Sequence, residues 1–332
     1  MQGEQNTLLP QEKEYLIMQL FFGTTIDGLQ MGLCFAILAL GVYISFSILD
    51  FPDLSVDGTF PLGGVFCTVL MLKLGLPPLL AIILSFAVGF LAGTVTGILH
   101  VKFKISNLLA GIIVMTALLS VTLASTMMLT KTGMTTTIFS FRSENLQGLF
   151  DGNLIALFGK EGEDYMILAV ELALVVAFKL IIDLFLKTKL GYMLRATGDN
   201  EKLVVLLGRD SGNYKILGLA LANGFVAVAG AVYANLFSSY DNDSGSGKVV
   251  MALASVIIGM AVFSRIRFVK DTSAVIIGAV IYSLCLNYLV LVDSNGIYLK
   301  LLNAVLFALI LIFNEKVTAF MNKHSKLRKE RG

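Results

Sequence analysis

"SILDFPDLSVDGTFPLGG", residues 47–64, follows a long apolar run, carries carboxylates at Asp50, Asp53 and Asp57, and holds two prolines before the chain turns apolar again. What such a stretch can be depends on the solvent around its neighbours. A soluble domain is about 45–50% apolar and about 25% charged. This chain of 332 residues is 56% apolar and 14% charged, with a mean hydropathy of +0.83. It is therefore expected to be a membrane protein, with room for many helical spans of about 20 residues each.

Apolar runs bounded by charge or by Gly/Pro clusters give nine candidate spans: 24–49, 61–74, 78–99, 108–130, 165–187, 214–237, 248–263, 272–292 and 299–313. The predicted fold class is all-α, a polytopic membrane protein of about nine transmembrane helices. The second run is too short to cross alone at about 1.5 Å per residue, so it must borrow from the quoted stretch. One helix is accordingly expected to be interrupted near 50–61. The chain divides into an N-terminal segment 1–23, open to an amphipathic reading, a transmembrane domain 24–313 with a hydrophilic loop at 188–213, and a basic tail 314–332.

Lys and Arg cluster in "HVKFK" (100–104), in 187–215, in "RIRFVK" (265–270) and in the C-terminal tail. All four fall on one side if the spans alternate, and the positive-inside rule makes that side the cytoplasm. The C-terminus is then inside and the N-terminus outside. The N-terminus is acidic and lacks a cleavage pattern, so it reads as retained. Gly28 with Gly32, and Gly89, Gly93 and Gly97 in "GFLAGTVTG", are spaced as faces for close helix packing.

Asp53 and Asp57, with Ser55, Gly58, Thr59 and Pro61, describe a break followed by a new helix start near Pro61. Irregular backbone at membrane depth survives only against protein or a water-filled cavity, and interrupted helices line binding pathways. The competing reading is a plain turn whose carboxylates cap the next helix. Glu171 lies inside the fifth run, where an ionisable group is by default a functional candidate, although it could also reach the outer interface. Lys179 and Asp183 are spaced to pair. Asn223 and Asn287 read as interhelical hydrogen-bonding groups, and Asn223 is kept among the candidate pathway residues.

Catalytic chemistry has little to stand on. The two histidines, His100 and His324, lie outside any ligand spacing, the three cysteines sit in apolar runs, and "GSGK" (245–248) lacks the Ser or Thr that a phosphate-binding loop requires. No metal, no cofactor in this chain and no nucleic-acid partner is expected. Within the hydrophilic loop, "GDNEKLVVLLG" (198–208) reads as a short amphipathic helix. Asp199 or Asn200 can cap it, Leu203, Leu206 and Leu207 form one face, and Gly208 stops it. A greasy stripe outside the bilayer invites a partner groove or a bilayer surface.

"KLGYMLRATGDNEKLVVLLGRD" and the following "YKILGLALANGFVAVAGAVYA" resemble the coupling segment and next span of permease subunits of ABC importers of the branched-chain amino acid and ribose type. "LALGVYISFSILDFPDLSVDGTFPLGG" is similar to the early segment of that family, and its "PDLSVDGTFPLGG" form looks like a branch described as tryptophan/tyrosine-type import permeases. The likeness covers about residues 24–313, although the chain lacks an additional N-terminal span of the ribose-type members and carries "RIRFVKD" where relatives have a Gly-rich link. The resemblance implies a permease homodimer in a bacterial cytoplasmic membrane. It also implies two separate ATPase subunits holding ATP-Mg and an extracellular binding protein, lipid-anchored or periplasmic, that delivers solute.

Carried onto this chain, it puts Arg195, Gly198, Asp199, Asn200 and Gly208 in the docking segment, and Asp53, Ser55, Asp57 and Gly58 beside the translocation path. The outer loop 131–164, with Glu144, Asp151, Glu161, Glu163 and Asp164, would face the binding protein. The expected function is import of a small solute, an amino acid and by resemblance an aromatic one, with nucleosides or sugars as alternatives. The rival class is an ion-coupled secondary transporter using Asp53, Asp57 or Glu171, and an intramembrane enzyme is disfavoured for want of a nucleophile and base.

Overall fold

The computed structural model describes residues 10–129, 137–144, 146–150, 163–263, 269–292 and 301–312. Its elements in chain order are α1 (Pro10–Val42), a π-helical turn (Tyr43–Ile48), α2 (Val56–Leu74), α3 (Pro78–Val101), α4 (Asn107–Thr126), β1 (Ile138–Ser140), α5 (Glu163–Phe185), α6 (Lys189–Asp199), α7 (Glu201–Leu206), α8 (Ser211–Leu236), β2 (Ser239–Asp241), α9 (Lys248–Phe263), α10 (Asp271–Val292) and α11 (Leu301–Ile312). Among the described residues, eight helices are long and apolar enough to cross a bilayer, and the 12-residue α11 is a shorter apolar one. The protein is all-α and polytopic. The expected ninth span, 299–313, contains α11. The tail 314–332, residues 1–9, the "RIRF" of the loop before α10 and most of the outer loop 131–162 lie outside the described residues.

Sequence chemistry explains the helix ends. Asp50 adopts a left-handed φ of 52°, which Asp tolerates better than most residues, and Pro52 then forces an extended neighbour. Gly75, at φ 60°, closes α2, and Pro78 opens α3 at the position where its missing N–H costs nothing. Asp210 caps α8 through Gly212 N at 2.9 Å.

The interruption ends earlier than the sequence suggests: α2 begins at Val56, so Pro61 lies inside it. The physical reason is a neighbour. Pro61 cannot donate to the carbonyl of Asp57, and Gly245 packs against that freed carbonyl and the Pro61 ring, so closely that a Cβ there would collide. The segment between β2 and α9 thus folds back into the bundle, and α9 starts inside it.

The hub is α8, apolar all round and buried. Its most extensive partner is α3, which runs antiparallel to it. A Cβ on Gly89, Gly93 or Gly97 would strike the backbone of Asn223, Leu219 or Ile216. Gly28 and Gly32 of α1 pack likewise on Leu284 and Val280 of α10. The small-residue stripes are packing faces, as van der Waals contact between membrane helices requires. The basic residues around α3's end, α6, α7 and α10's start gather at one end of the bundle: Lys215 bonds Glu201 at 2.8 Å, Lys270 bonds Asp183 at 3.0 Å, and Tyr43 bonds Asp271 at 3.4 Å. At the opposite end β1 and β2 pair antiparallel, with Phe139 opposite Tyr240.

Candidate functional site

The break between the π-helical turn and α2 climbs to Asn223, halfway along α8, and four of the predicted pathway residues meet there. The Asn223 amide donates to Asp53 Oδ2 at 2.7 Å and to its own helix at Leu219 O at 3.1 Å. Its Oδ1 accepts from Thr59 Oγ1 at 2.7 Å and from Ser55 Oγ at 3.2 Å. Asp53 Oδ1 accepts from Ser55 N at 2.9 Å, the side-chain turn that Asp forms with backbone two residues on. Asp53 is 4% exposed and Ser55, Thr59 and Asn223 are fully buried. This network replaces, in a dry interior, the backbone bonds that the break forfeits.

Asp57 and Gly58 are elsewhere. Asp57, in the first turn of α2, accepts from Val249 N at 2.8 Å and Gly247 N at 3.2 Å, so it caps the start of α9 from another helix. Gly58 packs against Met115 and Leu118 of α4. The start of α2 and the start of α9 are therefore pinned together by one carboxylate.

At the basic end, the expected helix 198–208 is divided. Asn200 caps α7 through Leu203 N at 3.2 Å, and Gly208 stops it at φ 70°. Gly198 and Asp199 instead belong to the last turn of α6, because Asn200 leaves the helical region at φ −157°. Leu203, Leu206 and Leu207 of the α7 segment are exposed, Leu206 by 82%, while Val204 is buried. Gly198 sits directly on the carbonyl of Ile48, at the foot of the interrupted helix. Arg195 lines a cavity of about 350 Å³ with Tyr43, Lys187, Lys270 and Asp271. Among groups outside the spans, Glu201 has its carboxyl held below the ordinary range, chiefly by the hydrogen bond from Lys215.

Other expectations resolve individually. Lys179 and Asp183 pair at 2.9 Å, and Asp183 also takes Lys270 and Thr272. Asn287 bonds within its own helix, to Ser283 O at 3.1 Å. Glu171 does not reach an interface: it is 1% exposed, and among the described residues neither carboxylate oxygen has a hydrogen-bond partner. Sequence reasoning missed Lys248, which it read only as the end of "GSGK" and the first residue of the run 248–263. Its side chain is buried, with Nζ 4.3 Å from the Phe35 ring centroid, 5.0 Å from Tyr233 and 5.3 Å from Phe60. The one signal available was a lysine opening an apolar run with no acidic residue four positions on.

The chain matches, over residues 24–314, the family model described as the permease component of the branched-chain amino acid transport system. It belongs to that permease family. The permease is 38% identical to the tyrosine transport system permease protein of Clostridioides difficile (strain R20291), over 84% of this chain and 88% of that protein. It is 25% identical to a ribose import permease protein of Haemophilus influenzae, over 87% of this chain and 81% of the relative, and 26% identical to one of Bacillus subtilis, over 91% and 85%. No solved structure gives a significant match. The permease is thus a multi-pass membrane component of an ABC-type transport system.

Proposed function

We propose that the permease forms the membrane channel of an ATP-driven importer for an amino acid of the aromatic class, working as a homodimer in a bacterial cytoplasmic membrane. The basic end faces the cytoplasm, with the C-terminus on that side. Two ATPase subunits carrying ATP-Mg grip α7, and an extracellular binding protein delivers solute at the opposite end. The chain itself holds no cofactor. Tyrosine as the specific solute is supported by the C. difficile relative.

The observation that carries this reading is the mechanical series from α7 inward. An exposed apolar face on Leu203, Leu206 and Leu207 sits on a short helix whose predecessor, α6, abuts the Ile48 carbonyl at Gly198. From Ile48 the chain runs straight into the Asp53–Asn223 network. A push on α7 is therefore delivered to the foot of the helix interrupted between Ile48 and Val56, where Asp53, Ser55, Thr59 and Asn223 hold its shape beside the path. Such a switch needs an energy difference between its states, and ATP closure of the partners supplies it.

The test is uptake by vesicles reconstituted with the permease, its ATPase and its binding protein. Aromatic amino acid uptake should require all three components and ATP. Uptake by the permease alone under a proton or sodium gradient would overturn the reading in favour of ion coupling.

A further inference from the structure

The membrane-spanning part of α5 ends at Phe185 and that of α10 begins at Asp271, and between those two ends lies the cavity of about 350 Å³. Small-molecule sites occupy about 300–1,000 Å³. Three cations line it: Lys187 just past α5, Arg195 of α6 and Lys270 just before α10. Two carboxylates line it as well, and they do not balance the cations. Asp183 already accepts from Lys179 at 2.9 Å, Lys270 at 3.0 Å and Thr272 Oγ1 at 2.7 Å. Asp271 accepts only the long bond from the Tyr43 hydroxyl, at 3.4 Å. Among the described residues neither Lys187 nor Arg195 makes an ion pair. With Lys179 included, four cations meet two carboxylates, so the cavity carries positive charge in excess.

Its position is that of the lipid headgroups. Leu184 and Leu180, three and seven positions before Lys187 and so on its side of α5, are 65% and 52% exposed. On a spanning helix such side chains face the hydrocarbon. Tyr192, which also lines the cavity, is exposed, and Tyr gathers at the boundary between hydrocarbon and water. An apolar stripe thus leads along α5 directly to a basic cavity at the membrane surface.

We propose that this cavity is a headgroup site for an anionic phospholipid: the phosphodiester meets Lys187, Arg195 and Lys270, a headgroup hydroxyl meets Asp271, and the acyl chains lie along Leu180 and Leu184. A phosphate supplies the missing negative charge, and the planar guanidinium of Arg195 can take two of its oxygens. Basic pockets between spanning helices recognise anionic headgroups in this way. A choline headgroup would instead bring a cation into a site already rich in them. The assignment is independent of the solute that crosses. A headgroup held there ties α6 to the ends of α5 and α10, beside the contact of Gly198 with Ile48.

The test is native mass spectrometry of the full-length permease in detergent, titrated with phosphatidylglycerol or with phosphatidylcholine of the same acyl chains. Phosphatidylglycerol should bind at least ~10-fold more tightly, about 1.4 kcal/mol. Lys187→Gln should lose about 5-fold of that affinity, about 1 kcal/mol for one lysine, and Lys187→Arg should keep it. Lys189→Gln, which alters an exposed lysine outside the cavity, should leave it unchanged. Equal affinity for the two lipids overturns the proposal on the unaltered protein, whatever the variants do to folding. An equal loss in Lys187→Gln and Lys189→Gln overturns it too, because general attraction to a basic surface then accounts for the binding. Inorganic phosphate and glycerophosphoglycerol, the same headgroup without chains, separate the two sources of a phosphate. Neither should displace the lipid at the lipid's own concentration, and displacement by either one overturns the lipid assignment in favour of a soluble phosphate.

Discussion

Gly198, in the last turn of α6, rests against the carbonyl of Ile48 with no room for a side chain between them. This contact joins α6 and α7 to the foot of the interrupted helix. Gly198→Val must push α6 away, at a packing cost of about 1–3 kcal/mol. The expected result is an assembled complex that hydrolyses ATP with less transport per ATP, measured by parallel phosphate release and uptake. Unchanged coupling would show that force travels by another route.

The exposed face of α7 predicts a split between stability and binding. Leu206 is 82% exposed, so Leu206→Ala should alter the unfolding free energy by no more than about 0.5 kcal/mol. As a central apolar anchor in a partner groove it should cost about 2 kcal/mol in ATPase affinity, read by titration calorimetry on the purified components.

Asn223 serves four hydrogen bonds in a dry interior, three of them to Asp53, Ser55 and Thr59. Asn223→Ala strands those groups at about 1–3 kcal/mol for each one left unpaired. A large drop in thermal midpoint is expected, and Asn223→Asp should be no better because it sets a second carboxylate beside Asp53. Scanning fluorimetry in detergent checks both.

Two glycines separate packing from propensity. A Cβ on Gly93 overlaps the Leu219 carbonyl, whereas one on Gly23 meets nothing within 4 Å. Gly93→Ala should destabilise by about 1–3 kcal/mol, and Gly23→Ala should be neutral or stabilising by up to about 1 kcal/mol through helix propensity. Chemical unfolding of the two variants side by side measures the difference.

Glu201 supplies a pH dependence. Its carboxyl is held down by the Lys215 hydrogen bond, so the bond's contribution is fully present above the ordinary glutamate value of 4.5 and is lost as pH falls through the lower value of the folded state. The pair is partly exposed and the effect is correspondingly small. Amide exchange over 201–208 should quicken below that pH in the wild type, and Lys215→Gln should show the faster exchange already at neutral pH.

The sequence by itself determined the membrane class, the position of nearly every span, the glycine packing stripes, a helix cap at Asp199 or Asn200 and the stop at Gly208. Each follows from a local cause: transfer of about 20 apolar residues into lipid, close approach of small residues, or a side chain bonding backbone three positions away. The break at 47–64 was legible for the same reason, as a concentration of Asp and Pro in an apolar context. What only the tertiary structure decided was where that break's groups find partners. Asp53 is satisfied by Asn223, 170 positions on, and Asp57 by the backbone of 247–249. α2 can start at Val56 because Gly245 occupies the space that Pro61 leaves. Lys248 looked like the charged edge of a span because its burial depends on rings from three other helices. Local energies fix where a helix runs, but the cost of a buried charge or an unpaired carbonyl is settled only by whatever the rest of the fold brings to it.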